Sequence, residues 1–268
     1  MRLEHFFNRH SVFTGDELAA FLASEGPRNV RTQEALLLYH VKAGRLVRVR
    51  RGLYAVVPPG ASPESYPVDP FLLASRMTKD AMLAYHTALE FHGKAYSVYE
   101  RFTYLAAAPA RPVSFRSYQF KGLRFPRPLA PEVAASFDVV QADRAGLEVR
   151  VTGLERTFVD VLHRPDLTGS WEEIWRSLES VAFFDLDKVA AYVQHLGNAT
   201  TAAKAGFFLE QHREALMVDE AHLKAFRDLR PQRPHYLERS RRNAGRFVAA
   251  WNLVVPQAVY DRSWEEPS

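Results

Sequence analysis

From Glu34 to Arg45 the apolar side chains Leu37, Leu38 and Val41 recur at intervals of three and four, the spacing of one stripe on a helix of about 3.6 residues per turn. This predicts a helix with that stripe against a core and with Asn29, Thr32, Gln33, Leu36 and His40 on the far side, where short polar groups can read base edges. Gly44 can take the left-handed conformation of a C-cap and predicts where the helix stops. After it, the β-formers Leu46, Val47 and Val49 interleave with Arg45, Arg48, Arg50 and Arg51, Gly52 supplies a turn, and a second strand is expected from Leu53 to Val57. Upstream, Leu3 to Phe7 predict a short helix with Phe6 and Phe7 inward. Thr14 predicts the cap of a second helix, Gly15 to Ser24, with Asp16 and Glu17 at its positive end and Leu18, Phe21 and Leu22 on its apolar stripe. Gly26 and Pro27 turn the chain toward the third helix. The succession of helices and a basic hairpin predicts a winged helix-turn-helix over residues 1–59.

The segment from Pro58 to Pro70 holds five prolines and no possible helix interior, which places a linker at 60–70 and a second domain at 71–268. In that domain two helices are expected between Phe71 and Gly93 (FLLASRM and AMLAYHTALEFHG). From Arg101 to Arg127 the texture becomes β, with Phe102, Tyr104, Phe115, Tyr118, Phe120 and Phe125 spaced among six Lys and Arg. That pattern fits an antiparallel sheet with aromatics inward and cations outward, and also a surface that stacks single-stranded nucleic acid. Leu147 to Val151 predict another strand, and Thr152 the cap of a helix ending at His163, with Leu154, Phe158, Val161 and Leu162 buried and Arg156 and Asp160 at ion-pair spacing. Trp171, Ile174, Trp175 and Leu178 mark a further amphipathic helix. Helices near 187–197 and 200–216 and a final strand, WNLVVP, complete a helical layer. The fold class expected is α+β: an N-terminal winged helix-turn-helix, then a larger mixed domain with an antiparallel sheet and a C-terminal helical layer.

Charge and composition narrow the chemistry. Residues 1–60 carry nine basic and five acidic side chains and residues 61–268 carry 26 of each, so the whole excess of +4 lies in the N-terminal piece. With no cysteine there is no disulfide framework and no thiolate metal site, which suits a reducing cytoplasm. No leader of signal-peptide length and no run of about 18 apolar residues is present, and no membrane partner is expected. Candidate DNA contacts are Asn29, Arg31, Thr32 and Gln33 on the helix and Arg45, Arg48, Arg50 and Arg51 on the wing, with duplex DNA as the partner. Because one winged helix covers one half-site, two molecules on an inverted repeat are expected, as a monomer or weak dimer that pairs on DNA. Arg111, Arg116, Lys121 and Arg124, with Arg239, Arg241 and Arg242 in a tail of seven Arg against two acids between Arg227 and Arg246, are candidates for a partner surface that meets RNA or an acidic protein. His86 and His92 lie six apart without a companion ligand and read as packed histidines. A nuclease would need two carboxylates and a lysine around a divalent metal. The best local set, Asp138 with Glu148 and Arg150, puts an arginine where a base is wanted. A Gly-rich phosphate loop and a Gly-x-Ser-x-Gly elbow are absent, so no cofactor and no enzyme activity are expected.

The segments HSVFTGDELAAFLAS, GRLVRVRRGLYAV, AMLAYHTALEFHG, VTGLERTFVDVLHRPDLTGSWEE, KAGFFLE and WNLVVP, in that order, resemble the AbiEi family of antitoxins from type IV toxin-antitoxin systems. Arg51-Gly52-Leu53-Tyr54, Glu155-Arg156-Thr157 and Asp160 carry the resemblance most strongly. Thr168-Gly169-Ser170 stands where the family often has two glycines. The resemblance implies an N-terminal winged helix that represses its own operon and a C-terminal domain that counteracts a nucleotidyltransferase-like toxin, directly or indirectly. A metal-dependent nuclease with a winged-helix targeting domain and an RNA-binding regulator are the alternatives.

Overall fold

The computed structural model describes residues 2–24, 30–238 and 245–264, with the backbone alone for Arg2, Val30 and Arg31. The chain opens with α1 (Arg2–Arg9), β1 (Val12–Thr14), α2 (Gly15–Ala23), α3 (Val30–Lys42), β2 (Leu46–Arg50) and β3 (Leu53–Val56), the order and the β1-β3-β2 sheet of a winged helix. Each element follows from local chemistry. Thr14 and Glu17 close a capping box on α2, satisfying two N-terminal amides that would otherwise be orphaned. Helix α3 ends as its glycine predicts: Gly44 sits at φ +72°, and the amide of Arg45 reaches back to the His40 carbonyl at 3.0 Å. Phe6, Phe7, Phe13, Leu18, Leu22, Leu37, Leu46 and Tyr54 then pack into one apolar cluster.

Next come α4 (Pro70–Ser75), β4 (Met82–Leu83), α5 (His86–Phe91), β5 (Arg101–Leu105), β6 (Val113–Phe115), β7 (Tyr118–Leu123), α6 (Pro131–Ser136), β8 (Val139–Arg144) and β9 (Leu147–Thr152). Between β3 and α4 the proline-rich segment forms neither helix nor strand. Asp69 then caps α4 by accepting from the amides of Phe71 at 2.9 Å and Leu72 at 3.3 Å, with Pro70 in the first turn. The single helix expected from Ala81 to Gly93 is instead a strand and a short helix. A short apolar run suits a strand buried on both faces as well as a helix, and β4 lies inside the six-stranded sheet, order β6-β7-β5-β4-β9-β8. That sheet is mixed rather than antiparallel: β4–β5 and β6–β7 run antiparallel, while β5–β7 and β4–β9 are parallel. Its aromatics face inward as expected, Phe102 stacked on Phe120 with centroids 5.7 Å apart.

The remainder is α7 (Leu154–His163), α8 (Trp171–Glu179), α9 (Leu186–Leu196), α10 (Ala199–Gln211), α11 (Glu220–Asp228), β10 (His235–Tyr236), β11 (Gly245–Val248), β12 (Leu253–Pro256) and α12 (Gln257–Asp261). The expected stripes Phe158/Val161/Leu162 and Ile174/Trp175/Leu178 are buried in one large cluster with Phe208 and Trp251. Gly206 on α10 is required there, because a Cβ would lie 2.2 Å from the Trp251 ring. Thr152 does not cap α7. Its hydroxyl is buried against that of Thr157 at 2.7 Å, Gly153 takes the N-cap position, and the Asp138 carboxylate accepts from the Arg156 amide at 2.9 Å.

By contacts the chain forms two compact units. One is Met1–Leu83 with Glu100–Arg124 and Gln141–Val151, and the other is Ala84–Tyr99 with Phe125–Val140 and Thr152–Ser268. These units cut across a division at 60–70, since the winged helix and the six-stranded sheet share the first. Among the described residues no helix is long and apolar enough to cross a membrane.

In the second unit Arg156 and Asp160 form an ion pair at 3.5 Å with both side chains fully buried. Arg156 donates to the Phe137 carbonyl at 2.9 Å, and the Tyr192 hydroxyl donates to Asp160 at 2.9 Å. Burial raises the Asp160 carboxyl to about 6, although Arg156 and Tyr192 pull it down. Removing one partner leaves a desolvated charge, so Arg156→Met should lose roughly 3–5 kcal/mol of stability. Arg156→Met with Asp160→Leu should lie much closer to the parent; urea unfolding of the two variants checks this ordering.

Candidate nucleic-acid interface

Helix α3 buries a different stripe from the one its spacing suggests. Leu37 is 7% exposed, Leu36 and Val41 pack partly against the core, and the His40 ring meets Phe7 edge-on at 5.2 Å. Leu38, expected inside, is 56% exposed, and Tyr39 beside it is 65% exposed. Three leucines in succession offer three possible stripes. The one chosen also brings the Gln33 carboxamide to the Gly15 carbonyl at 2.6 Å, tying α3 to the start of α2. His40 is held below its usual range by burial, Glu4 raising it and Arg45 lowering it further. The outward side of α3 therefore carries Thr32, Ala35, Leu38, Tyr39 and Lys42, with Glu34 at its edge. Of these the sequence pattern pointed only to Thr32. Asn29 lies outside the described residues, as does the side chain of Arg31.

The wing arginines divide in two. Register on β2 shifts between Arg48 and Arg50, which pair with the consecutive residues Tyr54 and Leu53, so Val49 is the extra residue of a bulge and points into the core. Arg48 and Arg50 thereby leave the common face that strict alternation would give them. Arg48 is exposed, as is Arg51 at the tip beside Gly52, whose φ of +79° makes the tight turn. Among the described residues neither guanidinium has a hydrogen bond or ion pair. Arg50 donates instead to the Met77 carbonyl and to that of Arg51. Arg45 pairs with Glu4 of α1 at 2.6 Å.

Two clefts adjoin the wing. A groove of about 410 Å³ runs between α3 and β2–β3, walled by Gln33, Leu37, Leu38 and Val41 on one side and Arg48 and Arg51 on the other. A larger cleft, about 750 Å³, extends from the start of α2 past Arg50 and Arg51 to residues 75–81, Glu148 and Arg150. Its cations are mostly compensated. Arg76 meets Glu17 at 3.4 Å and Lys79 meets Asp16 at 3.2 Å, while Arg150 donates to the Asp80 carbonyl at 3.3 Å. Burial lowers the Arg76 pKa, an effect that Glu17 opposes.

Of the expected partner surface, Arg111, Lys121 and Arg124 are exposed around β6 and β7. Arg116 is occupied with the carbonyls of Tyr66 and, at 2.7 Å, Pro63. Arg239, Arg241 and Arg242 lie outside the described residues. The histidines are packed groups: His86 stacks on Tyr99 with centroids 3.9 Å apart and meets Glu173 at 3.1 Å, and His92 bonds the Thr152 carbonyl at 2.8 Å. Asp138, considered for metal chemistry, serves the N-terminus of α7, and among the described residues no group of three His, Cys, Asp or Glu could hold a metal ion.

Residues 1–57 match the family model described as transcriptional regulator, AbiEi antitoxin. The match covers the winged helix and agrees there with the resemblance carried by the sequence motifs. No curated protein matches the chain. Its fold is shared with the crystal structure of RV2827C protein from Mycobacterium tuberculosis, at a TM-score of 0.62 and 20% identity over 95% of this chain and 90% of that one.

The face assignment of α3 has a direct check in stability. Gln33→Ala should cost about 1 kcal/mol, because it removes the carboxamide bond that ties α3 to the Gly15 carbonyl. Leu38→Asn, on the open side, should stay within about 0.5 kcal/mol of the parent. Equal losses in urea unfolding would mean that α3 does not pack on this face.

Proposed function

We propose that this protein is a non-enzymatic autorepressor and antitoxin: a winged helix that binds the operator of its own operon, joined to a body that counteracts a nucleotidyltransferase-like toxin, directly or indirectly. The observation that carries the DNA half is the pair of exposed, uncommitted guanidinium groups, Arg48 and Arg51, beside the outward face of α3 in a segment of the AbiEi regulator type. In a winged helix the third helix enters the major groove while the wing grips phosphates or the adjacent minor groove. In this reading the exposed Thr32 contacts bases, with Asn29 and Arg31 preceding it in sequence. Arg48 and Arg51 supply the phosphate contacts. Gln33, Arg45 and Arg50 hold the reading elements in position through Gly15, Glu4 and Met77. One such domain spans one half-site, so we place two molecules on an inverted repeat, meeting on DNA.

Each phosphate neutralised contributes about −0.9 to the slope of log K against log salt on duplex DNA. The Arg48→Ala/Arg51→Ala variant should therefore bind every duplex more weakly and flatten that slope by nearly two units. Anisotropy titrations from low to high salt on the DNA upstream of its own gene read this, and an unchanged slope would remove the wing from the interface. In cells carrying the operon and a reporter, the same double variant should release repression while still protecting against the toxin. Loss of both functions together would argue against separate DNA-binding and antitoxic surfaces.

A further inference from the structure

Between Ala35 and Tyr39 the outward side of α3 is poor in hydrogen-bonding groups for a surface that reads bases. Gln33, the side chain suited to adenine, is held by the Gly15 carbonyl. Of the exposed side chains described, Ala35 and Leu38 have no polar atom, Tyr39 offers a broad ring with a single hydroxyl at its end, and Thr32 pairs a hydroxyl with a methyl, while the ionic groups Glu34 and Lys42 stand at the edge of this strip and at the last residue of the helix. Leu38, 56% exposed, borders the groove of about 410 Å³ whose opposite wall carries Arg48 and Arg51 and whose lining also includes Asp16 and Glu34.

An apolar strip flanked by free guanidinium groups calls for a partner that is apolar at its centre and anionic at its sides. The major groove of duplex DNA is such a partner: its floor has one apolar group, the 5-methyl of thymine, and its walls are phosphates. Along α3 the rise of ~1.5 Å per residue carries Ala35 to Tyr39 over about 6 Å. Base pairs stack at ~3.4 Å, so this strip covers two to three of them.

We propose that Ala35, Leu38 and Tyr39 read the methyl groups of two or three neighbouring thymines, making hydrophobic contact rather than a carboxamide the main source of sequence preference on this helix. This rests on the DNA-binding function proposed above and names the feature of the operator that the site selects. Glu34, exposed at the edge of the same strip, adds discrimination because it accepts from cytosine and is repelled by phosphate.

The test compares two duplexes of identical sequence and charge, taken from the DNA upstream of the protein's own gene, one made with thymidine and the other with 2′-deoxyuridine throughout. Each contacted methyl should be worth about fourfold, the equivalent of roughly 0.8 kcal/mol, so the full-length protein should bind the uracil duplex at least tenfold more weakly at an unchanged salt slope. Leu38→Asn should reduce this thymine-to-uracil ratio several-fold and Tyr39→Ser should do the same, with folding verified by circular dichroism. Equal affinity of the parent protein for both duplexes overturns methyl readout while leaving DNA binding intact. A preserved ratio in Leu38→Asn, accompanied by a change in oligomeric state, assigns the strip to contact with a second copy and also overturns it. Failure to bind any duplex overturns the DNA-binding function and this inference together.

Discussion

A thirteen-residue helix can bury only one side against a core made of one layer, and which side α3 buries decides what this protein can present to a partner. Leu37 enters the cluster of Phe6, Phe7, Phe13 and Tyr54, and the Gln33 carboxamide fixes the rotation about the axis by bonding Gly15. Turning the helix by one residue, about 100°, would put Leu38 in the core and free Gln33 for bases. It would also break the carboxamide bond to Gly15 and place Leu36 in water. The polar anchor and the apolar stripe favour the same rotation, and this agreement between levels makes the outward face a defined surface.

The wing obeys a related constraint. Four arginines in seven residues suggest one uniform basic tip, yet only two are uncommitted among the described residues, because the bulge at Val49 sends Arg48 and Arg50 to different places. Arg50 and Arg45 have become structural, joining the hairpin to Met77 and to Glu4 of α1. A guanidinium that already donates to a carbonyl has fewer N–H groups for a phosphate, whereas an exposed one gives up only water. The sum of positive charge therefore overstates the number of guanidinium groups open to a phosphate, though all four contribute to the positive field of this segment.

Most of the elements were legible in the sequence, including the Thr14 cap, the Gly44 stop, the Arg51-Gly52 turn, and the stripes of the helices that contain Phe158 and Trp175. Failures fell where a pattern had two physical solutions. The apolar run at Ala81–Ala84 suited a buried strand and a helix equally, and only its neighbours Leu105 and Val151 in the sheet select the strand. Thr152 has the chemistry of a cap, but a buried hydroxyl partner at Thr157 competes for it, and Asp138, distant in sequence, supplies the capping carboxylate. The rotation of α3 and the bulge on β2 were hidden for the same reason: each is set by a long-range contact that local periodicity does not contain. Composition marked a basic segment but could not say which of its arginines remain uncommitted.

That the first compact unit joins the winged helix to the six-stranded sheet bears on how the two proposed roles can coexist. Arg50 bonds Met77 and Glu17 pairs with Arg76, so the wing and the start of α2 both lean on the segment between α4 and β4. Truncation at the proline-rich segment would strip those partners from both sides, leaving Arg76 buried without its carboxylate and Arg50 without its carbonyl. Loss of either function in a truncated chain would then report damage to the unit rather than the location of an activity. Point substitutions at exposed side chains such as Arg48, Arg51 and Leu38 avoid this, because those groups bear no buried bond that the fold needs. The two proposed roles are for that reason a matter of surfaces on a shared scaffold more than of segments of sequence.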